Sequence, residues 1–478
     1  MITPATQNSG GTSSVPEIEA YDPARFDWPL AFEAEKFLSE RMAAFLDLNS
    51  FARELAQRMR DESGTDFFEW MDHLVLSPND EKTLRGMGFV EDLAADCSKG
   101  DIVLHHPRAT LPRVILRAGQ PQHPSAIALR PEFTADFAAR HNLGGAIEGA
   151  PFSRFRRLKI YSENGTDLEA VERNACRGFL AAPLRPGQLE AIVKVQELWH
   201  TRKRIYGNDA EGFAVANRLL NQSIPLAGRD LTCQIFFAAE RAYWENRNRA
   251  ARIQKFRQDQ LGLGWGNHDH HTFRSSREHF VDLVDFLLKL GFERRERYYA
   301  GAEAGWGAQV MEQSVTGIVV FADVDLLPEE TQVDFSSNRL PAAPKLGTVG
   351  LWVGLHGESF LSAGMHHLEA RFDYELLRDQ LKAQGINTMN PFSDFEFLRQ
   401  AFTEGERWPV SRVRAERLFA AQLITSEQFE KFIREGALGS HLENLQRHGG
   451  FKGFNQKSVS AVISATDPRK GHFEPNNA

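Results

Sequence analysis

Hydrophobic and polar positions change their rhythm several times along the chain, and each rhythm predicts a different kind of element. From about Asp22 to Asp80 the apolar residues recur at helical spacing, as in FLSERMAAFLDLNSFARELAQRM, where Phe45, Phe51 and Leu55 would share a core face. Residues 81 to 190 mix short strand-like runs (DIVLHH, RVILRA, RRLKIY) with Pro and Gly turns, which predicts an α+β region without a chemical motif of its own. Residues 189 to 260 are helical again and end in YWENRNRAARIQKFRQDQ. There Arg247, Arg249, Arg252, Lys255 and Arg257 read as a solvated helix face in preference to a phosphate clamp. Gly262, Gly264 and Gly266 follow that helix and lack the GxGxxG spacing, so they predict a helix stop and linker.

Beyond the linker one pattern occurs twice. NHDHHTFRSSREHFVDLVDFLLKLGF predicts a short strand, then a helix with Ser275 and Glu278 in capping-box spacing, an apolar face of Phe280, Leu283, Val284 and Leu287, and a terminal Gly. GMHHLEARFDYELLRDQLKAQGI repeats this about a hundred residues later, with Asp373 as N-cap and Gly385 as C-cap. Strand-like sequence follows each: YYAGAEAGWGAQVMEQ and TGIVVFADVD after the first, EFLRQAF after the second. The predicted unit is β-α-β-β-β, and two such units pair as curved sheets around a cavity.

Composition then narrows the class. The 478 residues predict two or three domains, and 56 Lys plus Arg against 64 Asp plus Glu argue against an electrostatic hold on nucleic acid or anionic membrane. No apolar stretch is long enough to span a bilayer. Residues 1–20 have neither a basic patch nor an apolar core, so a disordered tail and a cytoplasmic protein are expected. Cys97, Cys176 and Cys233 form no CxxC pair, which excludes a disulfide framework and a cysteine zinc site. A metal would have to rest on His and carboxylate.

Side chains of a strand alternate faces, so His270, Thr272 and Arg274 share one face, while Asp269, His271 and Phe273 take the other. His367, Glu369 and Arg371 repeat that geometry, and His366 is expected on the opposite face. In GSHLENLQRHGGF, Glu443 and Arg447 have the same offset if the segment is a strand. Two imidazoles and one carboxylate form the facial set that holds Fe(II) in oxygenases, because it leaves positions for substrate and O2. Adjacent histidines such as His270 and His271 also occur as polar loops or as satisfied core residues.

At these residues the sequence resembles the 2-oxoadipate dioxygenase/decarboxylases, or 2-hydroxyglutarate synthases, of the vicinal oxygen chelate superfamily. The resemblance runs from about Asn267 to Ala465. It rests on His270-His271-Thr272-Phe273-Arg274, Tyr298-Tyr299 followed by Ala304-Gly305, His367 four before Arg371, Leu398-Arg399-Gln400, and Glu443 four before Arg447. It implies Fe(2+) held by His270, His367 and Glu443, and a 2-oxo acid chelating that ion through its keto and carboxylate oxygens. Arg274 would hold the substrate carboxylate, with Gln400, Asn455 and Gln456 as further substrate-binding positions. The implied reaction consumes O2, releases CO2 and hydroxylates the shortened acid, giving a 2-hydroxy acid. The stretch from His270 to His367 and the stretch after Glu443 are shorter than in that family, so what is implied is a 2-oxoadipate-like 2-oxo acid, with the exact substrate left open.

The expected organisation is a tail over 1–20, a helical and α+β region over 21–260, and a metal-binding vicinal oxygen chelate-like domain over 261–478. The 21–260 region has no counterpart in the resemblance and is expected to cover the metal-binding modules. Two rivals remain at this stage: an isomerase or ring-cleaving enzyme of the same superfamily, and a protein that sequesters a small molecule. Arg274 has its own alternative, an ion pair with Asp269 or Glu278 that supports the fold.

Overall fold

The computed structural model describes residues 26–121, 123–302, 304–455, 462 and 466–469; the predicted tail and Gln456 lie outside the described residues. The helical rhythm near the start becomes α1 (Phe32–Leu48) and α2 (Ser50–Arg58), separated at Asn49, whose side chain accepts from Ala52 N–H and restarts the helix. Phe45 and Leu55 are buried as expected, and Phe51 packs partly buried against the same cluster.

A strand followed by a helix and three further strands can close on itself when the last strand returns parallel to the first. The chain does this repeatedly. β1 (Met71–Leu76), α3 (Glu81–Gly86), β2 (Val90–Glu91), β3 (Ile102–His105) and β4 (Arg113–Leu116) form the first unit, with β1 parallel to β4. β5 (Ala126–Leu129), α4 (Thr134–Arg140), β6 (Phe155–Glu163) and β7 (Thr166–Arg173) form a second, with β5 parallel to β7. In that second unit the remaining strand is reduced to a bridge between Glu148 and Arg157. Antiparallel pairing of β1 with β5 joins the two into one seven-stranded sheet. The paired module expected from Asn267 onward therefore occurs in the N-terminal half as well.

Four helices follow: α5 (Gln188–His200), α6 (Asp209–Ala227), α7 (Arg229–Glu245) and α8 (Arg249–Asp259). Trp199, Phe213, Leu220, Phe236 and Phe237 from α5–α7 share one buried cluster with Phe273, Val320, Leu368 and Leu442 of the later sheet, so these helices cover its outer face. Of the basic residues on α8 and its approach, Arg249 and Arg252 are exposed, as a solvated face requires, while Arg247, Lys255 and Arg257 are partly buried. Arg247 donates to the carbonyls of Ser362 and Ala363 and stacks on Trp408, Arg249 donates to those of Gln384 and Gly385, and Arg257 donates to that of Glu62. They tie the helix to neighbouring loops.

The third unit is β8 (His268–Arg274), α9 (Phe280–Lys289), β9 (Glu293–Tyr299), β10 (Trp306–Gln313) and β11 (Ile318–Asp325). After α10 (Thr348–His356) the fourth follows: β12 (His367–Arg371), α11 (Tyr374–Lys382), β13 (Ser393–Phe395), β14 (Leu398–Phe402) and, after β15 (Glu406–Trp408), α12 (Arg412–Ala420) and α13 (Ser426–Glu435), the long β16 (Ala437–Arg447). β8 is parallel to β11 and β12 is parallel to β16, while β8 and β12 pair antiparallel at the centre. The result is the expected pair of β-α-β-β-β modules in one curved sheet.

Helix ends agree with the sequence in one module and differ in the other. Asp373 accepts from Leu376 N–H at 3.0 Å, and Gly385, at φ +72°, lets Ile386 N–H reach back to Leu381 O. Around α9 the Ser275 and Glu278 box does not form: Glu358 accepts from Ser276 N–H, and the helix starts later, at Phe280. Among the described residues no helix is long and apolar enough to cross a membrane.

Candidate metal centre

Strand register brings the predicted ligands together. His270 on β8 lies opposite Glu369 on β12, and Glu369 lies opposite Glu443 on β16, giving a row across three neighbouring strands. Two pairs further along, His367 lies opposite Thr272. Period-two alternation then puts His270, His367 and Glu443 on the inner face. Glu443 Oε2 is 2.9 Å from His367 Nε2 and 3.9 Å from His270 Nε2, and ligand atoms of all three residues lie within 4.8 Å of one another. His271 takes the other face and packs against Phe237, as expected.

Neighbours fix these side chains. His270 Nδ1 donates to Glu369 Oε2 at 2.6 Å, which leaves Nε2 facing Glu443. Gln400 Nε2 donates to Glu369 Oε1 at 2.9 Å and reaches Glu443 Oε1 at 3.4 Å. Thr272 Oγ1 is 2.8 Å from His367 Nε2. A carboxylate behind a ligating imidazole is the usual way to fix its tautomer and ring plane. Burial, and next Glu369, hold the Glu443 carboxyl well above its ordinary range, with Asp269 and Asp323 adding to the effect. Burial opposes charge on His270 as well, but Glu369 and Asp269 outweigh it and push this imidazole up to about 9. Crowded buried carboxylates with two imidazoles are a donor set that a divalent cation fits, since it relieves the repulsion and takes the place of the proton.

Beside this set a cavity of about 70 Å³ is lined by Arg274, Gln400 and Asn455 and walled by Tyr298, Phe321, Phe402 and Phe454. Arg274 is almost wholly buried; its Nη1 reaches Thr466 O at 3.5 Å and its guanidinium lies over Trp352. Asp269 and Glu278 do not pair with it. The nearest acidic group is Asp323, opposite it on β11, at 3.9 Å from Nε. Burial pushes Asp323 up to about 7 despite Arg274 and His270.

Two orientations differ from simple alternation. Between Glu369 and Ala370 the ladder skips a residue on β8, and this bulge turns Asp269 to meet Arg447 on the inner face. His366 lies in the bend before β12, where alternation does not apply; its Nδ1 is 2.8 Å from His367 Nδ1 and it lines the cavity, contrary to the expected opposite face.

The N-terminal sheet carries a partial copy of the same row, which the sequence reading missed. His73 lies opposite Ala128, and Ala128 opposite Glu169, as His270, Glu369 and Glu443 do. A bulge at Asp72 recurs, and Asp72 binds Arg173, four residues after Glu169, as Asp269 binds Arg447, four after Glu443. Ala126 stands where the second sheet has His367. The signal was present as two Asp-His pairs and two Leu-Glu-x-x-x-Arg runs, Leu168–Arg173 and Leu442–Arg447.

No family model matches the chain, and no curated protein sequence matches it. Among solved structures it is similar to a mutant of 4-hydroxymandelate synthase from Streptomyces coelicolor, with 13% identity over 84% of this chain and 98% of that one, at a TM-score of 0.28. It is similar to a xylose isomerase-like TIM barrel/4-hydroxyphenylpyruvate dioxygenase fusion protein, with 10% identity over 84% of this chain and 52% of that one, at 0.23. A third is methylmalonyl-CoA epimerase from Mycobacterium tuberculosis, with 11% identity over 38% of this chain and 88% of that one, at 0.21. Likenesses of this size assign neither a family nor an activity.

Proposed function

We propose that the protein is an Fe(II)-dependent dioxygenase that oxidatively decarboxylates a 2-oxo acid and hydroxylates the shortened acid, as the resembled 2-oxoadipate family does. The observation that carries this reading is the meeting of His270, His367 and Glu443 on three neighbouring strands, beside a cavity that also holds Arg274. His270, His367 and Glu443 would hold the ion from one side, which keeps the cavity side free for substrate. When bound, iron supplies the O2 chemistry that side chains lack. Arg274 offers a planar fork to a carboxylate and stays charged at working pH. Glu369 keeps the His270 ring in place, and Gln400 bridges it to Glu443. The aromatic walls restrict water around the reacting acid.

Protein loaded anaerobically with Fe(II) is expected to take up O2 and release CO2 in equal amounts when given a 2-oxo dicarboxylate. If a panel of 2-oxo dicarboxylates and aromatic 2-oxo acids gives no coupled uptake and release, the dioxygenase reading fails. An isomerase or binding protein would then replace it.

A further inference from the structure

Between the two sheets lies a second, wider cavity of about 450 Å³ whose wall includes His270, Glu369 and Gln400 of the metal centre. Its N-terminal wall brings three guanidinium groups, Arg113, Arg130 and Arg173, around one carboxylate, Asp72. Arg173 takes Asp72 through two hydrogen bonds of 2.7 and 2.8 Å, and Arg113 approaches it at 3.4 Å. On the opposite wall Arg371 faces Glu69 at 3.5 Å, and Arg447 is held by Asp269.

Arg130 differs from these. It stands two residues after Ala128, as Arg371 stands two after Glu369, so the repeated fold presents both to the same space. Its backbone N–H donates to Trp70 O, and its half-buried guanidinium makes no ion pair of the kind that holds Arg173, Arg371 and Arg447 among the described residues. Asp72 attracts it, while Arg173 and Arg371 repel it. A half-buried cation that shares its one attracting carboxylate with Arg173 and Arg113 makes the chamber attractive to anions and gives them a fork to bind.

We propose that the cavity between the sheets is the approach chamber of the metal centre, and that Arg130 receives the carboxylate of an incoming acid before it reaches His270. This rests on the 2-oxo acid reading above. It assigns the N-terminal sheet a task beyond covering the second one.

Calorimetric titration of the full-length protein with succinate, which has two carboxylates and no keto group, tests the chamber apart from the oxidation chemistry. Wild type is expected to bind succinate but not succinamide, and Arg130→Gln to weaken succinate binding at least about tenfold. Arg130→Lys, which keeps the charge, should retain more affinity than Arg130→Gln at an unchanged melting temperature. In turnover, Arg130→Gln should lower kcat/KM and leave kcat nearly unchanged. Succinate affinity and kcat/KM that ignore Arg130 would overturn the chamber, as would tighter binding of inorganic phosphate than of succinate. Arg130-dependent succinate binding without coupled O2 uptake would instead overturn the dioxygenase reading and leave the chamber standing.

Discussion

Glu369 accepts from His270 Nδ1, on the far side of the ring from the nitrogen that faces Glu443, so in the proposed set its removal separates orientation from coordination. Glu369→Gln keeps the shape but loses the carboxylate that accepts from His270 Nδ1, so Fe(II) affinity should fall about 10–100-fold while the fold persists. Anaerobic Fe(II) titration reads this directly; unchanged affinity would mean that His270 needs no such support. Arg274→Lys keeps the charge and loses the fork, so kcat/KM for the 2-oxo acid should fall at least about tenfold with iron retained. A lowered melting temperature with unchanged kinetics would instead make Arg274 a support for Asp323 and Trp352. That His270, His367 and Glu443 meet beside Arg274 was legible because strand alternation puts each on one face of its own strand. The positions of Asp269 and His366 were not, because a bulge and a bend decide them, and both arise from pairing between strands distant in sequence.

Among the elements, the two helices that follow β8 and β12 have similar apolar faces but different starts. Asp373 caps α11 through Leu376 N–H, so Asp373→Ala should cost about 1 kcal/mol in urea unfolding. Glu278 forms no box and its side chain is 80% exposed, so Glu278→Ala should stay within about 0.5 kcal/mol. Equal losses at the two sites would contradict the assignment. The helical faces could be read from periodicity, whereas the start of α9 could not, since Glu358 occupies the Ser276 N–H from another part of the chain. The offset of four between Glu443 and Arg447 left open whether that segment is a strand, and β16 supplies it, carrying both residues.

At the scale of the whole molecule the design is one module used four times, with the candidate metal centre in the second pair. The first pair escaped the sequence reading because β2 is two residues long and one strand shrinks to the Glu148–Arg157 bridge, so the period-two signal is weak there. Its inner row keeps His73 and Glu169, but Ala126 cannot offer the second imidazole, so one ion per chain is expected. Elemental analysis of anaerobically purified protein after Fe(II) loading and desalting tests this centre most directly. Wild type and His73→Ala should each retain one iron per chain. His270→Ala, His367→Ala and Glu443→Ala should each retain roughly a tenth of that or less, at a preserved fold, because each removes a ligand from a three-ligand set. Full iron in those three variants, or its loss from His73→Ala alone, would contradict the account.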